Sequence, residues 1–170
     1  DKVYVERVEI EAPLWEFPLY DRMEGEKETW LVYGAAIRTF LYDDFTEGGH
    51  HYVYPFIKPS EIWIESNTYE EERPAIFMEQ AICRFLMRDV GLTFSEANII
   101  AETYKINYQV AQYQKGKETL KSFYPKKNNY VIEYAPPVEE KLGRRKEWKN
   151  TELNIFDQAL KTLMAKKTEL

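Results

Sequence analysis

The chain of 170 residues carries 44% hydrophobic and 15% aromatic side chains, one cysteine, two histidines and a formal charge of −6. At this length one core can bury about two-thirds of the unfolded surface, so a single domain is expected. A lone cysteine excludes an internal disulfide and favours a cytoplasm-like setting, adjacent His50 and His51 exclude a zinc site of separated histidines from this chain alone, and no apolar run approaches the ~20 residues of a spanning helix.

From the start of the chain, Val3, Val5, Val8 and Ile10 alternate imperfectly with charged residues and predict a strand ending at Pro13. Residues 17–23 and 30–33 predict an antiparallel hairpin around Glu24-Gly25-Glu26-Lys27. Residues 35–42 suit a short helix or another strand, and residues 43–49 a loop in which Gly48-Gly49 admits backbone angles other residues avoid. Residues 50–57 and 61–65 then predict strands flanking the Lys58-Pro59-Ser60 turn.

At Glu70-Glu71-Glu72 the pattern changes. Pro74 suits a first helical turn, the glutamates favour its positive end, and residues 75–90 predict a helix that stops at Gly91. Gln80, Arg84 and Arg88 form a narrow polar stripe on it, while apolar residues take most of the circumference, so it should be largely buried. Thr93-Phe94-Ser95-Glu96 is a capping box that opens a second helix, predicted to run to about residue 114, with Gly116 ending or bending it and residues 117–124 adding a turn or two. Its polar stripe is Asn98, Glu102, Lys105, Gln109 and Gln112; its apolar stripe is Ala97, Ala101, Tyr104, Tyr108 and Ala111. Beyond lie a predicted strand at 130–134, a charged arm at 135–150 after Ala135-Pro136-Pro137, and a terminal helix capped by Asn154 with Phe156, Ala159, Leu160, Leu163 and Met164 on one face.

These elements predict an α+β fold, a mainly antiparallel N-terminal sheet on a buried central helix, followed by a second long helix and a C-terminal helical extension. Residues 1–134 form a single domain in this expectation, and residues 135–170 belong to the same domain or to an interface. Charge is uneven. Residues 1–113 hold 10 Lys/Arg against 21 Asp/Glu, whereas residues 114–149 hold 10 against 5. The basic segment with Arg144, Arg145, Lys146 and Trp148 is a candidate partner-binding stretch for protein or, less readily, nucleic acid.

Glu79 is the most informative single residue. Its helical neighbours Ala75, Ile76, Ile82 and Cys83 are apolar, and an isolated buried carboxylate is costly, so it requires a partner, a raised pKa or a metal. Glu79 and Cys83 stand one helical turn apart, a two-ligand spacing without a histidine beside it. His50 and His51 would point to opposite faces of a strand, so at most one reaches any site. Phosphate-binding loops and nucleophile turns are missing from the sequence, and neither a cofactor nor a metal is expected.

Gly48-Gly49-His50-His51, Glu61-Ile62-Trp63-Ile64-Glu65, Glu79-Gln80-Ala81-Ile82-Cys83-Arg84-Phe85-Leu86-Met87 and Ala97-Asn98 together resemble a family of small prokaryotic and phage-encoded proteins. That family carries a GGH tract, an E-I-W-[IL]-[DE] strand, a helix reading H-E-x-x-E-x-x-L-M and a following A-H. The resemblance spans residues 46–105 and implies a minimal zincin-type site on a helix packed against a small sheet. Its chemical positions are replaced here: Glu79 stands at the first histidine, Gln80 at the base, Cys83 at the second acidic position and Asn98 at the later histidine. Gln80 cannot accept a proton, so the resemblance implies a scaffold without the family chemistry. The resulting expectation is a noncatalytic interaction or structural protein, phage- or mobile-element-encoded, cytoplasmic or virion-associated, docking on other subunits and not on a membrane. The alternatives are a divergent metal-dependent hydrolase using Glu79, Cys83 and a histidine, and a nucleic-acid-binding accessory protein using residues 141–149.

Overall fold

The computed structural model describes residues 2–23 and 27–123. The predicted strand at 130–134, the arm, the terminal helix and the candidates Arg144, Arg145, Lys146 and Trp148 lie outside the described residues.

The architecture is α+β. Four strands, β1 (Tyr4–Val8), β2 (Glu28–Val32), β3 (Gly48–His50) and β4 (Glu61–Glu65), form one mixed sheet in the order β1-β2-β4-β3. β1–β2 and β3–β4 are antiparallel, and the central β2–β4 pair is parallel, with Trp30 opposite Trp63 and Val32 opposite Glu65. The parallel pair is possible because α1 (Gly34–Phe40) and β3 intervene, giving the chain length to cross back.

Two strand predictions are corrected. Residues 17–23 form tight turns instead of half a hairpin, and β2 pairs with β1. Pro18 interrupts that segment, and burial of Phe17 and Leu19 in the core beside the helices outweighs a sheet partner. Residues 51–57 likewise leave the sheet after His50: Tyr54 and Phe56 fold over it onto the cluster around Trp63 and Ile57. Apolar area removed from water decides here over β-propensity.

β4 is buried along its whole length because both sheet faces are covered. One face meets α1 and the aromatic turns through Val32, Ile37, Phe45, Ile57 and Trp63. The other presents Leu31 and Ile64 to Ile76 of α2 (Arg73–Phe85). Gly48 permits this approach. A Cβ there would stand 2.9 Å from both Ile76 Cγ2 and the Trp63 carbonyl oxygen.

α2 continues as a π-helical turn (Leu86–Val90) and stops at Gly91, whose φ of 87° suits glycine. α3 (Phe94–Phe123) opens with the capping box: the Glu96 amide donates to Thr93 Oγ1 at 3.3 Å and the Thr93 amide to Glu96 Oε1 at 3.0 Å. It passes through Gly116, beyond the predicted end, since one glycine costs a helix only about 1 kcal/mol among good helix formers such as Lys115, Lys117 and Glu118. Buried Ala97 and Ala101 belong to the cluster formed with Met78, Ile82 and Phe85 of α2. α2 therefore has no solvent side for its predicted polar stripe. Arg84 is buried and donates from Nε to the Pro59 carbonyl at 3.0 Å. No helix among the described residues is long and apolar enough to cross a membrane.

Candidate functional site

Glu79 projects from the middle of α2 toward α3, where Lys105 meets it. Lys105 Nζ lies 3.6 Å from Glu79 Oε2 and 2.6 Å from Glu47 Oε1, Glu47 standing just before β3. The side chains of Lys105 and Glu79 retain only 16% and 13% exposure. Gln80 Nε2 donates to Glu79 Oε1 at 3.4 Å. Burial pushes the Glu79 carboxyl above its ordinary pKa; Lys105 opposes the shift, while Glu47 and Glu102 add to it. For Lys105, burial disfavours the charged form, but attraction from Glu79 and Glu47 outweighs it and holds the ammonium above its ordinary value. Lys105 is thus a permanent cation bound between two carboxylates.

Cys83 lies one turn beyond Glu79 and is buried; burial first, and then Glu79, push its thiol up to about 12. No thiolate is available at neutral pH, so Cys83 offers neither a nucleophile nor a ready soft ligand. Asn98, in the first turns of α3, is half-buried and has no hydrogen bond to Glu79 among the described residues. The group that forms is therefore Glu79, Gln80, Cys83, Lys105 and Glu47, without Asn98 or the histidines.

His50 ends β3 fully buried, on the α2 side of the sheet by its two-residue spacing from Gly48. Its Nδ1 accepts the Tyr52 amide at 3.2 Å, which places the neutral-ring proton on Nε2, a buried donor without a hydrogen-bond partner among the described residues. Burial, followed by the charges of Arg84, His51 and Lys27, lowers its pKa to about 3. Lys27 is itself lowered to about 8 by burial, with Arg84 and Arg88 adding to the shift and Asp89 opposing it. His50 thus belongs to a basic cluster separate from Glu79. His51 sits in the turn, donating from Nδ1 to the Ile57 carbonyl at 2.6 Å and packing edge-on against Tyr52. The two histidines part ways because the strand ends at His50 and His51 begins the turn, not because they alternate along one strand.

Lys105 and Glu47 are the members that sequence reasoning missed. Lys105 belongs to the polar stripe of α3, yet the ladder Ala97–Ala101–Lys105 at spacing four continues a fully buried row into a charge, a signal that such a charge meets a partner. Nothing local marks Glu47, which reaches Lys105 across 58 residues of chain.

Among the described residues, no three His, Cys, Asp or Glu side chains are grouped so as to hold a metal ion. The arrangement joins the carboxyl groups of Glu79 and Glu47 through the Lys105 ammonium. No protein-family model, curated protein or solved structure matches this chain.

Proposed function

We propose that this protein is a noncatalytic interaction or structural subunit, working in a phage or mobile-element setting, on a scaffold that resembles a minimal metalloprotease without its chemistry. The observation that carries this is the position of Lys105 Nζ, 2.6 Å from Glu47 and 3.6 Å from Glu79. Glu79 is the residue that stands where the resemblance implies the first metal ligand, and here its carboxylate is bound to an internal cation. An ammonium balances the buried charge as a metal would, but it offers no open coordination position for a substrate or water. Gln80 beside it has no basic form, and the Cys83 thiol stays protonated. Further support comes from exposed aromatics: Trp15, Phe40 and Tyr69 are 68%, 74% and 76% exposed, the kind of side chain that anchors protein interfaces.

Metal analysis tests the proposal. Protein purified with zinc present and then dialysed should hold well under one equivalent, and Glu79→Ala should not alter that content. Stoichiometric zinc that disappears in Glu79→Ala would make the protein a metal-dependent hydrolase candidate and overturn the proposal.

A further inference from the structure

A cavity of about 470 Å³ opens on the sheet face opposite α2, walled by Tyr4, Phe40, Phe56 and Trp63, with exposed Lys2 and Lys58 at its edge. Its walls are held from behind. Tyr4 Oη and Trp63 Nε1 both donate to buried Glu61 Oε1, at 2.6 and 3.0 Å, so their polar tips are satisfied within the protein; Trp63 is buried, and the surfaces open to a guest are those of exposed Phe40 and half-buried Tyr4 and Phe56. Neither lysine is ion-paired among the described residues. The cavity calls for an apolar side chain accompanied by negative charge.

The chain itself presents such a group. Tyr69 is 76% exposed and is followed by exposed Glu70, Glu71 and Glu72. This tip is rigid. Arg73 donates to Thr68 Oγ1, the Thr68 carbonyl and the Ser66 carbonyl at 3.2–3.3 Å, Thr68 Oγ1 donates to the Glu65 carbonyl at 2.8 Å, and the Tyr69 amide donates to Glu72 Oε2 at 3.2 Å. A large aromatic on a preordered turn, exposed in its own chain, loses little entropy on insertion elsewhere.

We propose that Tyr69 of one copy inserts into this cavity of a second copy, with Glu70 and Glu71 against Lys2 and Lys58. Tip and cavity are different surfaces, so the contact is heterologous and propagates from copy to copy, closing as a ring or extending as a filament. The inference rests on the interaction role proposed above and names its partner as the same chain.

Sedimentation velocity over a concentration series of the full chain tests it. The wild type should assemble with rising concentration, less so at high salt because the edge charges are screened. Tyr69→Ala and Lys58→Glu alter exposed residues and should each weaken assembly about tenfold or more while leaving the circular dichroism spectrum unchanged. Mixed together, these variants should form a dimer and stop there, because one supplies only a working cavity and the other only a working tip. A wild type that stays monomeric throughout overturns the inference, as does assembly that neither variant weakens, or a mixture that fails to pair. A monomeric result leaves the noncatalytic proposal standing, since that one falls on stoichiometric zinc.

Discussion

Lys105 Nζ sits 3.6 Å from Glu79 Oε2, and this pair joins α3 to α2 at a depth where neither charge is readily hydrated. Removing the cation should cost more than the pair contributes, because the carboxylate stays behind. Lys105→Met should destabilise by about 2–3 kcal/mol in urea titration, below the roughly 3–5 kcal/mol of a fully buried pair because both side chains keep some exposure. The loss should also grow with pH. With Lys105 gone, the folded-state pKa of Glu79 rises further above its ordinary 4.5, so the folded state binds more protons than the unfolded one, and stability falls as pH rises from the unfolded value through the folded one. Glu79→Gln combined with Lys105→Met should recover much of the loss.

His50 gives the opposite pH dependence. Its folded pKa of about 3 lies below the ordinary 6.5, so the unfolded state binds the proton first. Stability from this residue is full above pH 6.5 and declines toward about 3, by about 1.4 kcal/mol per pH unit within that window. Urea midpoints at pH 7 and pH 5 should therefore differ by the equivalent of about 2 kcal/mol. His50→Gln keeps an acceptor for the Tyr52 amide and should abolish most of that difference.

Cys83 should be chemically silent in the folded protein. With its thiol pushed up to about 12 and its sulfur buried, it should not react with a disulfide reagent at pH 8, and one thiol per chain should appear on adding urea. Reaction at a free-thiol rate without denaturant would contradict the packing of α2 between sheet and α3.

Gly48→Ala should destabilise by about 1–3 kcal/mol, since its Cβ meets Ile76 Cγ2 and the backbone oxygen of Trp63, neither of which can yield without moving α2 or β4. Gly49→Ala should behave similarly, for the Tyr54 ring lies 2.5 Å from the position its Cβ would take. Thermal unfolding of each variant reads the effect. Ile76→Ala removes the Cγ2 that the new Cβ meets, so in that background Gly48→Ala should cost less than in the wild type while the Gly49→Ala cost stays unchanged, because the two positions face opposite sides of the sheet.

What the sequence determined by itself is whatever short-range physics controls. The capping box at Thr93–Glu96, the stop at Gly91, the strand at Glu61–Glu65 and the need of Glu79 for a partner are all set by neighbours within a few residues. Only the tertiary structure decided which distant groups meet. The β2–β4 pairing, the folding of Tyr54 and Phe56 over the sheet, the burial of Arg84 and the choice of Lys105 and Glu47 as the partners of Glu79 depend on which faces are covered. A helix with one polar stripe can place that stripe in water or against a charge on another element, and α2 lies covered on both sides. Its charges therefore found partners within the protein: Arg84 at the Pro59 carbonyl and Glu79 at an ammonium from α3.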